Sequence, residues 1–210
     1  MASRDALTTA TAAVESVAGL AGVEWDAVEG TDLVEATVAV ARVKALAEAA
    51  LVAVAERLEA TGASDELGWA SAKDFLTHVT GGRKGAGSTY VRVARQTADL
   101  PEVRSAMAAG EVSLAQASVI GGRVATLPHA PELREAVAGK MLDRVAAQSA
   151  DATDLDRGFP AVVRELDPDG TLLRADLDKD NADRGAHHAR FLSFTPDTLG
   201  GVRIKGYGSL

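Results

Sequence analysis

The chain has 210 residues, a net charge of −8 and no cysteine; 47% of its residues are hydrophobic and 25% are charged. This balance is typical of a folded chain with one large domain or two small ones, and the lack of cysteine excludes disulfides, thiolate zinc sites, iron–sulfur clusters and a cysteine nucleophile. No apolar run approaches the roughly 20 residues of a membrane span, and the N-terminus lacks the apolar core of a signal peptide, so we expect a cytoplasmic protein with no membrane partner.

The charge is distributed unevenly along the chain. Residues 1–66 contain 4 basic and 12 acidic side chains, residues 67–125 contain 7 and 4, and residues 126–210 contain 11 and 14. Only the middle segment is positive, so it is the part expected to approach a polyanion. This contrast motivates the hypothesis that the acidic N-terminal third shields the basic segment until a partner moves it.

The N-terminal segment, residues 1–66, predicts two helices. A short amphipathic helix is expected over 3–18, and a long one begins at Thr31 and ends at Gly62. Apolar side chains recur along the long helix at near-heptad spacing, which predicts that it packs along a partner helix. The simplest interpretation is a structural spine, and a homodimer through this helix is the alternative. The apolar positions are Leu33, Val40, Val43, Ala47, Leu51, Val54 and Leu58.

Glycine, proline and serine divide residues 67–150 into short predicted helices. Gly81 and the glycine after it end the first helix, because glycine adopts left-handed dihedral angles at little cost. Pro101 occupies the first turn of a later helix, where proline is favoured. Short helices joined by tight turns are typical of a helix-turn-helix cluster. The predicted helices cover 69–78, a segment starting at Ser88, 101–109, 114–125 and 131–149.

The C-terminal segment, residues 151–210, predicts a helix over 151–165, a charged linker over 172–190 and a β-hairpin. The hairpin strands are expected at 191–194 and 202–207, on either side of a turn. The predicted fold class is therefore mainly α: a multi-helix bundle containing a helix-turn-helix-like cluster, with a small C-terminal β-hairpin.

Candidate DNA-binding residues lie in the basic middle segment, on a glycine-rich turn and the helix that follows it. A helix start rich in hydroxyl groups and followed by arginines is suited to phosphates and to the edges of bases in the major groove. The alternative is that these arginines are an ordinary solvated helix surface. The candidate residues are Arg83, Lys84, Ser88, Thr89, Tyr90, Arg92 and Arg95.

Two resemblances bear on this segment. The run STYVRVARQTADLPEVRSAMAAGEVSLAQASVI resembles the helical DNA-binding region of ParB and KorB partition proteins. Over nearly its whole length the chain resembles the actinobacterial domain of unknown function 222, found in 13E12-repeat proteins, through GWASAKDFL, the run just quoted, LDPDG and ARFLSFTPDTLGGVRIKGY. That resemblance implies the N-terminal region of an HNH-endonuclease-like protein, with a role in DNA cleavage, mobility or defence.

No catalytic centre is expected in this chain. An HNH site holds one divalent metal with histidines and an asparagine or acid on a ββα unit, and no such spacing occurs. The resemblance implies that the predicted hairpin leads towards an HNH domain that is absent from these 210 residues, so the sequence is expected to be either a short protein or a fragment of a nuclease. We expect no cofactor here, and a divalent metal only if an HNH domain follows. The histidines and the asparagine are His78, His129, His187, His188 and Asn181.

The sequence lacks three common functional motifs, although two segments partly resemble them. The acidic run that starts at Asp176 has Asn181 where a calcium loop needs glycine, and His187 where it needs glutamate. The glycine-rich run around Lys84 lacks the serine or threonine that directly follows lysine in a P-loop. No Gly-x-Ser-x-Gly elbow of a serine hydrolase is present.

Three hypotheses remain from different functional classes. The first is a helical module that contacts double-stranded DNA for an HNH-endonuclease-like protein. The second is a helical oligomerisation or interaction module with no direct DNA contact. The third is an enzyme with an unrecognised site, which the scarcity of histidine and of clustered acids disfavours.

Overall fold

The chain is mainly helical in the computed structural model, which describes the backbone of residues 2–171, 191–196 and 202–207 and the side chains of residues 5–171. The predicted mainly α, multi-helix fold is confirmed for these residues. Short 3-10 turns follow the first helix at Gly19–Gly22 and Trp25–Ala27. The α-helices are α1 Ala2–Ala18, α2 Gly30–Thr61, α3 Ala63–Glu66, α4 Ala72–Val79, α5 Ser88–Gln96, α6 Pro101–Ala108, α7 Leu114–Val124, α8 Pro131–Gln148 and α9 Ala152–Leu166.

Two short strands, β1 (Phe191–Pro196) and β2 (Val202–Tyr207), pair antiparallel. Their register places Phe191 opposite Tyr207 and Pro196 opposite Val202. The turn that would join them, and the charged linker before them, lie outside the described residues. The predicted hairpin as a whole therefore stays a prediction.

The chain divides into two compact units, residues 1–44 and residues 45–210. Among the described side chains of the first unit none is buried. Its apolar side chains include the exposed Leu7, Val14 and Val34. The predicted segment boundaries at Glu66 and Ala150 stay predictions.

The second unit has a core centred on α7. This helix packs against α5, α6, α8 and α9, and its Ile120 is fully buried together with Val93 of α5, Met141 of α8 and Leu155 of α9. Gly121 permits the close approach of α5, since a Cβ atom there would lie 3.0 Å from the Cβ atom of Gln96. The core therefore fixes α5, the helix that carries most of the candidate site.

The helix ends follow the capping chemistry of the sequence. Ser113 and Gln116 form a reciprocal capping box at the start of α7, and Asp151 with Asp154 forms another at the start of α9. The predicted start of α4 at residue 69 is wrong by three residues, because the side chain of Ser71 accepts a hydrogen bond from the amide of Asp74 and caps the helix there. Such caps set the helix boundaries locally.

The predicted contact face of the long helix α2 is confirmed at Leu51 and Leu58, and it is wrong at Val54. The two leucines are half-buried and pack against an apolar cluster that includes Ala55. The buried residues are Ala45, Val52 and Ala55, whereas the predicted contact residue Val54 is 48% exposed. The heptad count followed the large apolar side chains, but two of the three buried positions are alanines. Small side chains permit close helix packing, so size alone did not identify the face.

No helix in the described part of the chain combines the length and the apolar character that crossing a bilayer requires.

Candidate nucleic-acid interface

Helices α4 and α5 are held together by a close contact at Gly87, just before α5. Gly87 is buried, and a Cβ atom at this position would lie 2.1 Å from the carbonyl oxygen of Lys73 and 2.6 Å from the amide nitrogen of Thr77. The amide of Gly87 also donates a 2.9 Å hydrogen bond to the hydroxyl of Thr77. Only glycine fits this contact, which fixes the start of α5 against α4.

The connection between the two helices places two basic residues in solvent. Gly81 and Gly85 have φ angles of 62° and 88°, the left-handed conformation that favours glycine. Arg83 and Lys84 lie between them and are exposed. The glycine-rich run therefore serves as a turn, as its sequence predicts, and it exposes both cations.

Helix α5 has one face in the core and one in solvent. Val91 and Val93 are buried, while Ser88, Arg92 and Arg95 are exposed. These three exposed residues are spaced by four and three positions, so they share one face of the helix. The structure therefore brings three of the predicted site residues to a single exposed surface.

The remaining two candidates on α5 are half-buried. The second unit has a large apolar cluster that contains Val52 and a smaller one that contains Leu76, and Tyr90 packs against both. Thr89 is also half-buried. Much of the Tyr90 ring therefore serves the core, which the sequence pattern did not indicate.

The polar groups at the start of α5 are already engaged within the turn. The hydroxyl of Ser88 donates to the carbonyl oxygen of Gly85 at 2.6 Å. The amides of Ser88 and Thr89 donate to the carbonyl oxygens of Gly85 and Ala86, at 3.0 and 3.2 Å. A phosphate at this position would have to compete with these bonds, so the exposed cations are the stronger candidates for anion contact.

Arg95 is already paired with an acid. Its Nε and Nη2 atoms donate to the two carboxylate oxygens of Glu59 in α2, at 2.8 and 2.7 Å. Two parallel bonds from a guanidinium to a carboxylate are a favourable geometry, the same that arginine uses for phosphate. Glu59 is 36 residues away in sequence, and no local pattern pointed to it.

Uncompensated positive charge is concentrated between α4 and α5. Residues 72–96 contain five basic residues and one acid. Among the described contacts, four of these basic side chains have no acidic or carbonyl partner, and elsewhere in residues 45–171 only Arg57 and Arg157 share this property. The four residues are Lys73, Arg83, Lys84 and Arg92.

Other basic side chains of the second unit are tied into the fold. The guanidinium of Arg104 donates to the carbonyl oxygens of Ala94 and Thr97 at the end of α5, at 2.7 and 2.9 Å, and pairs with Glu56. Arg134 donates to the carbonyl oxygens of Leu127 and of the proline after it, at 2.6 and 2.7 Å. Arg104 therefore closes the end of α5, and Arg134 holds the loop between α7 and α8, which distinguishes both from the exposed cations of the α4–α5 turn.

The described residues contain no group of three or more acidic or histidine side chains that could hold a metal ion. The rings of His78 and Trp69 lie against each other, with their centroids 4.7 Å apart. This contact joins the last turn of α4 to the residues that precede the helix. His187, His188 and Asn181 lie outside the described residues, as does the lookalike calcium loop.

Comparison with known proteins gives one match. A family model described as "Domain of unknown function (DUF222)" matches residues 31–207. No curated protein and no solved structure matches the chain. The family match covers most of the chain, including helices α4 and α5 and the turn between them. The chain therefore belongs to the DUF222 family.

Proposed function

We propose that this chain is a helical module that contacts the phosphate backbone of double-stranded DNA through the turn between α4 and α5 and the exposed face of α5. The observation that carries the proposal is the concentration of exposed cations without acidic partners at Arg83, Lys84 and Arg92. Following the resemblance given above, the module would serve an HNH-endonuclease-like protein whose nuclease centre lies in another domain.

The shape of the surface is suited to a groove of DNA. An α-helix with its side chains is about 10–12 Å across, which fits the major groove, about 12 Å wide, and the nine residues of α5 give the helix a length of about 14 Å. The turn before the helix carries Arg83 and Lys84, and Arg92 follows along the helix. Cations at the start of a helix and along it can contact phosphates on both sides of a groove while the helix lies in it.

The net charge opposes DNA binding only in part. The chain carries −8 overall, but association depends on the local field at the contacting surface as well as on the total. Each phosphate neutralised by a lysine or arginine releases condensed counterions, and this release provides most of the affinity for DNA of any sequence. Three exposed cations are a small footprint, so we expect weak, strongly salt-dependent binding.

The direct test is the fluorescence anisotropy of a labelled mixed-sequence duplex titrated with the protein at several salt concentrations. We compare the wild type with R83Q/R92Q, which removes two exposed cations. The matched control is R57Q/R157Q, which removes the same charge from two arginines that also lack described partners. Binding that is weakened in the first variant and unchanged in the second supports the proposal; equal affinity for all three proteins, or no binding of the wild type at low salt, contradicts it.

A second candidate function is an interaction module that positions other domains without touching DNA. The observation that favours it comes from the described side chains of the first unit, none of which is buried and among which Leu7, Val14, Val34 and Val38 are exposed. A module of this kind tolerates R83Q/R92Q and depends on these apolar side chains. The two candidates therefore respond to different substitutions.

A further inference from the structure

The first half of α2 presents an exposed apolar stripe. Val34 and Val38 are 63% and 64% exposed, and Ala41 is exposed as well. Their spacing of four and three residues places them on one face of the helix. A cluster of this kind on the surface marks a protein interaction site more often than isolated apolar residues do.

This stripe is in phase with the packed face of the same helix. Val38, Ala45 and Val52 are spaced by seven residues each, and the last two are buried. In heptad terms Val34 and Ala41 occupy d positions and Val38 an a position. The seven-residue spacing of packed positions in α2 therefore extends to Val38, whose side chain is exposed.

The charges beside the stripe are complementary under a two-fold rotation. Glu35 and Arg42 both occupy e positions, on the same side of the stripe. We propose that residues 30–44 of α2 pair antiparallel with the same residues of a second copy of this chain. A two-fold axis near residue 39 places Val38 against Ala41 of the other copy and Glu35 against Arg42 of the other copy, and each contact occurs twice.

Antiparallel pairing is favoured over parallel pairing by these charges. In antiparallel coiled helices an e position faces an e position, which joins Glu35 to Arg42. In parallel helices an e position faces a g position five residues earlier, which sets Glu35 beside Gly30 and Arg42 beside Thr37. Arg42 also interacts within its own chain, and because its side chain is exposed, a pair with Glu35 of the other copy competes with that interaction on nearly equal terms.

The expected dimer is weak, because the paired helices are short. Fifteen residues of helix span only about 22 Å, so a single pair of such helices buries less surface than the roughly 2,000 Å² or more of a permanent dimer. We expect dissociation in the micromolar range or above, and sedimentation experiments over a wide concentration range are suited to detect it.

Charge exchange tests the pairing and its direction together. E35R places arginines opposite each other in its homodimer, and R42E places glutamates opposite each other. Each variant alone should therefore dissociate about tenfold more readily than the wild type. An equimolar mixture of the two should associate like the wild type, because both contacts between unlike copies then join opposite charges.

Sedimentation velocity of the full chain, without DNA, is the measurement, with V38S as a further variant that removes apolar contact from an exposed position. Far-UV circular dichroism checks that each variant keeps its helix content. A wild-type chain that stays monomeric at high concentration overturns the proposal, and so does a dimer that V38S, E35R and R42E leave unchanged. In the latter case the chain self-associates through another surface, and DNA binding is measured independently of either result.

Discussion

The carboxylate of Glu59 accepts two hydrogen bonds from the guanidinium of Arg95, at 2.8 Å from Nε and 2.7 Å from Nη2. The pair joins the end of α2 to the exposed face of α5. Arg95 is one of three exposed side chains on this face, and it is the one whose charge is already matched. Among the predicted contact residues, Arg95 is therefore paired with an acid, whereas Arg83, Lys84 and Arg92 have no acidic partner among the described contacts.

Removing the charge of Glu59 should strengthen DNA binding. In E59Q the guanidinium of Arg95 loses its carboxylate partner and can pair with a phosphate instead, so we expect tighter binding and a steeper salt dependence, by about one unit of slope. Anisotropy titrations over a range of salt concentrations measure both quantities. Glu59 lies within residues 1–66, so this variant also tests, at one residue, the hypothesis that acids of that segment shield the basic one.

Glu56 provides the matched control for this variant. It lies one turn before Glu59 on α2 and pairs with Arg104, which closes the end of α5 and is not part of the exposed face. E56Q changes the net charge by the same amount, so a general charge effect would raise the affinity of both variants equally. Equal affinities, or no change in E59Q, would contradict the role assigned to Glu59.

Gly87→Ala should destabilise the second unit. The new Cβ atom would lie 2.1 Å from the carbonyl oxygen of Lys73, so α4 and α5 must move apart, and overpacking of this kind typically costs about 1–3 kcal/mol. Gly122→Ala on α7 is the control, because its Cβ atom would lie 3.6 Å from the Nε2 atom of Gln96, an ordinary contact. Urea unfolding measures the free energies, and a stable G87A protein would show that the contact is not tight.

Arg104→Ala should cost more stability than Arg123→Ala. The first change leaves the carbonyl oxygens of Ala94 and Thr97 without their donor at the end of α5, and loss of a partner by partly buried polar groups costs about 1–3 kcal/mol. Arg123 instead makes a half-exposed pair with Asp156 at the surface, a class of interaction worth about 0–1 kcal/mol. Comparable unfolding free energies for the two variants would contradict this assignment.

Acid should destabilise the protein through its paired carboxylates. The hydrogen bond from Arg104 lowers the pKa of Glu56 below its usual 4.5, and the bonds from Arg123 and Lys140 likewise lower the pKa of Asp156 and that of Glu165. The folded state therefore binds these protons less readily than the unfolded state does, and stability falls as the pH drops from about 5 through the lowered values.

Urea unfolding at pH 7, 5, 4 and 3 checks this dependence, and E56Q serves as the comparison. Glutamine cannot titrate, so the variant should lose less stability between pH 5 and pH 3 than the wild type does. A wild type whose stability is constant across this range would show that the pairs contribute nothing measurable in solution.

The sequence predicts the helices well because their signals are local. Ser113, Asp151 and Pro101 cap or begin helices through contacts within one turn, and hydrophobic spacing identifies the helical class of the fold. The packing face of α2 was predicted only in part: Leu51 and Leu58 pack against the core, whereas the buried Ala45 and Ala55 are small and give no strong apolar signal. Contact faces depend on the partner helix, which local spacing does not contain.

The candidate site could be predicted only in part for the same reason. Glycines and exposed cations identify the turn at Arg83 and the face of α5 that carries Arg92. The partner of Arg95 is distant in sequence, and the close contact at Gly87 depends on the backbone of α4. Both features arise from the tertiary arrangement and change how the predicted residues can act.

The salt dependence of DNA binding by the wild type and R83Q/R92Q tests the central claim most directly. We predict measurable binding at low salt for the wild type, with a logarithmic slope that falls by about two units in the variant, as expected when two phosphate contacts are lost. The R57Q/R157Q protein should keep the wild-type slope. Wild-type binding with the same slope in all three proteins, or no binding at low salt by a folded wild type, would contradict DNA contact through α4 and α5.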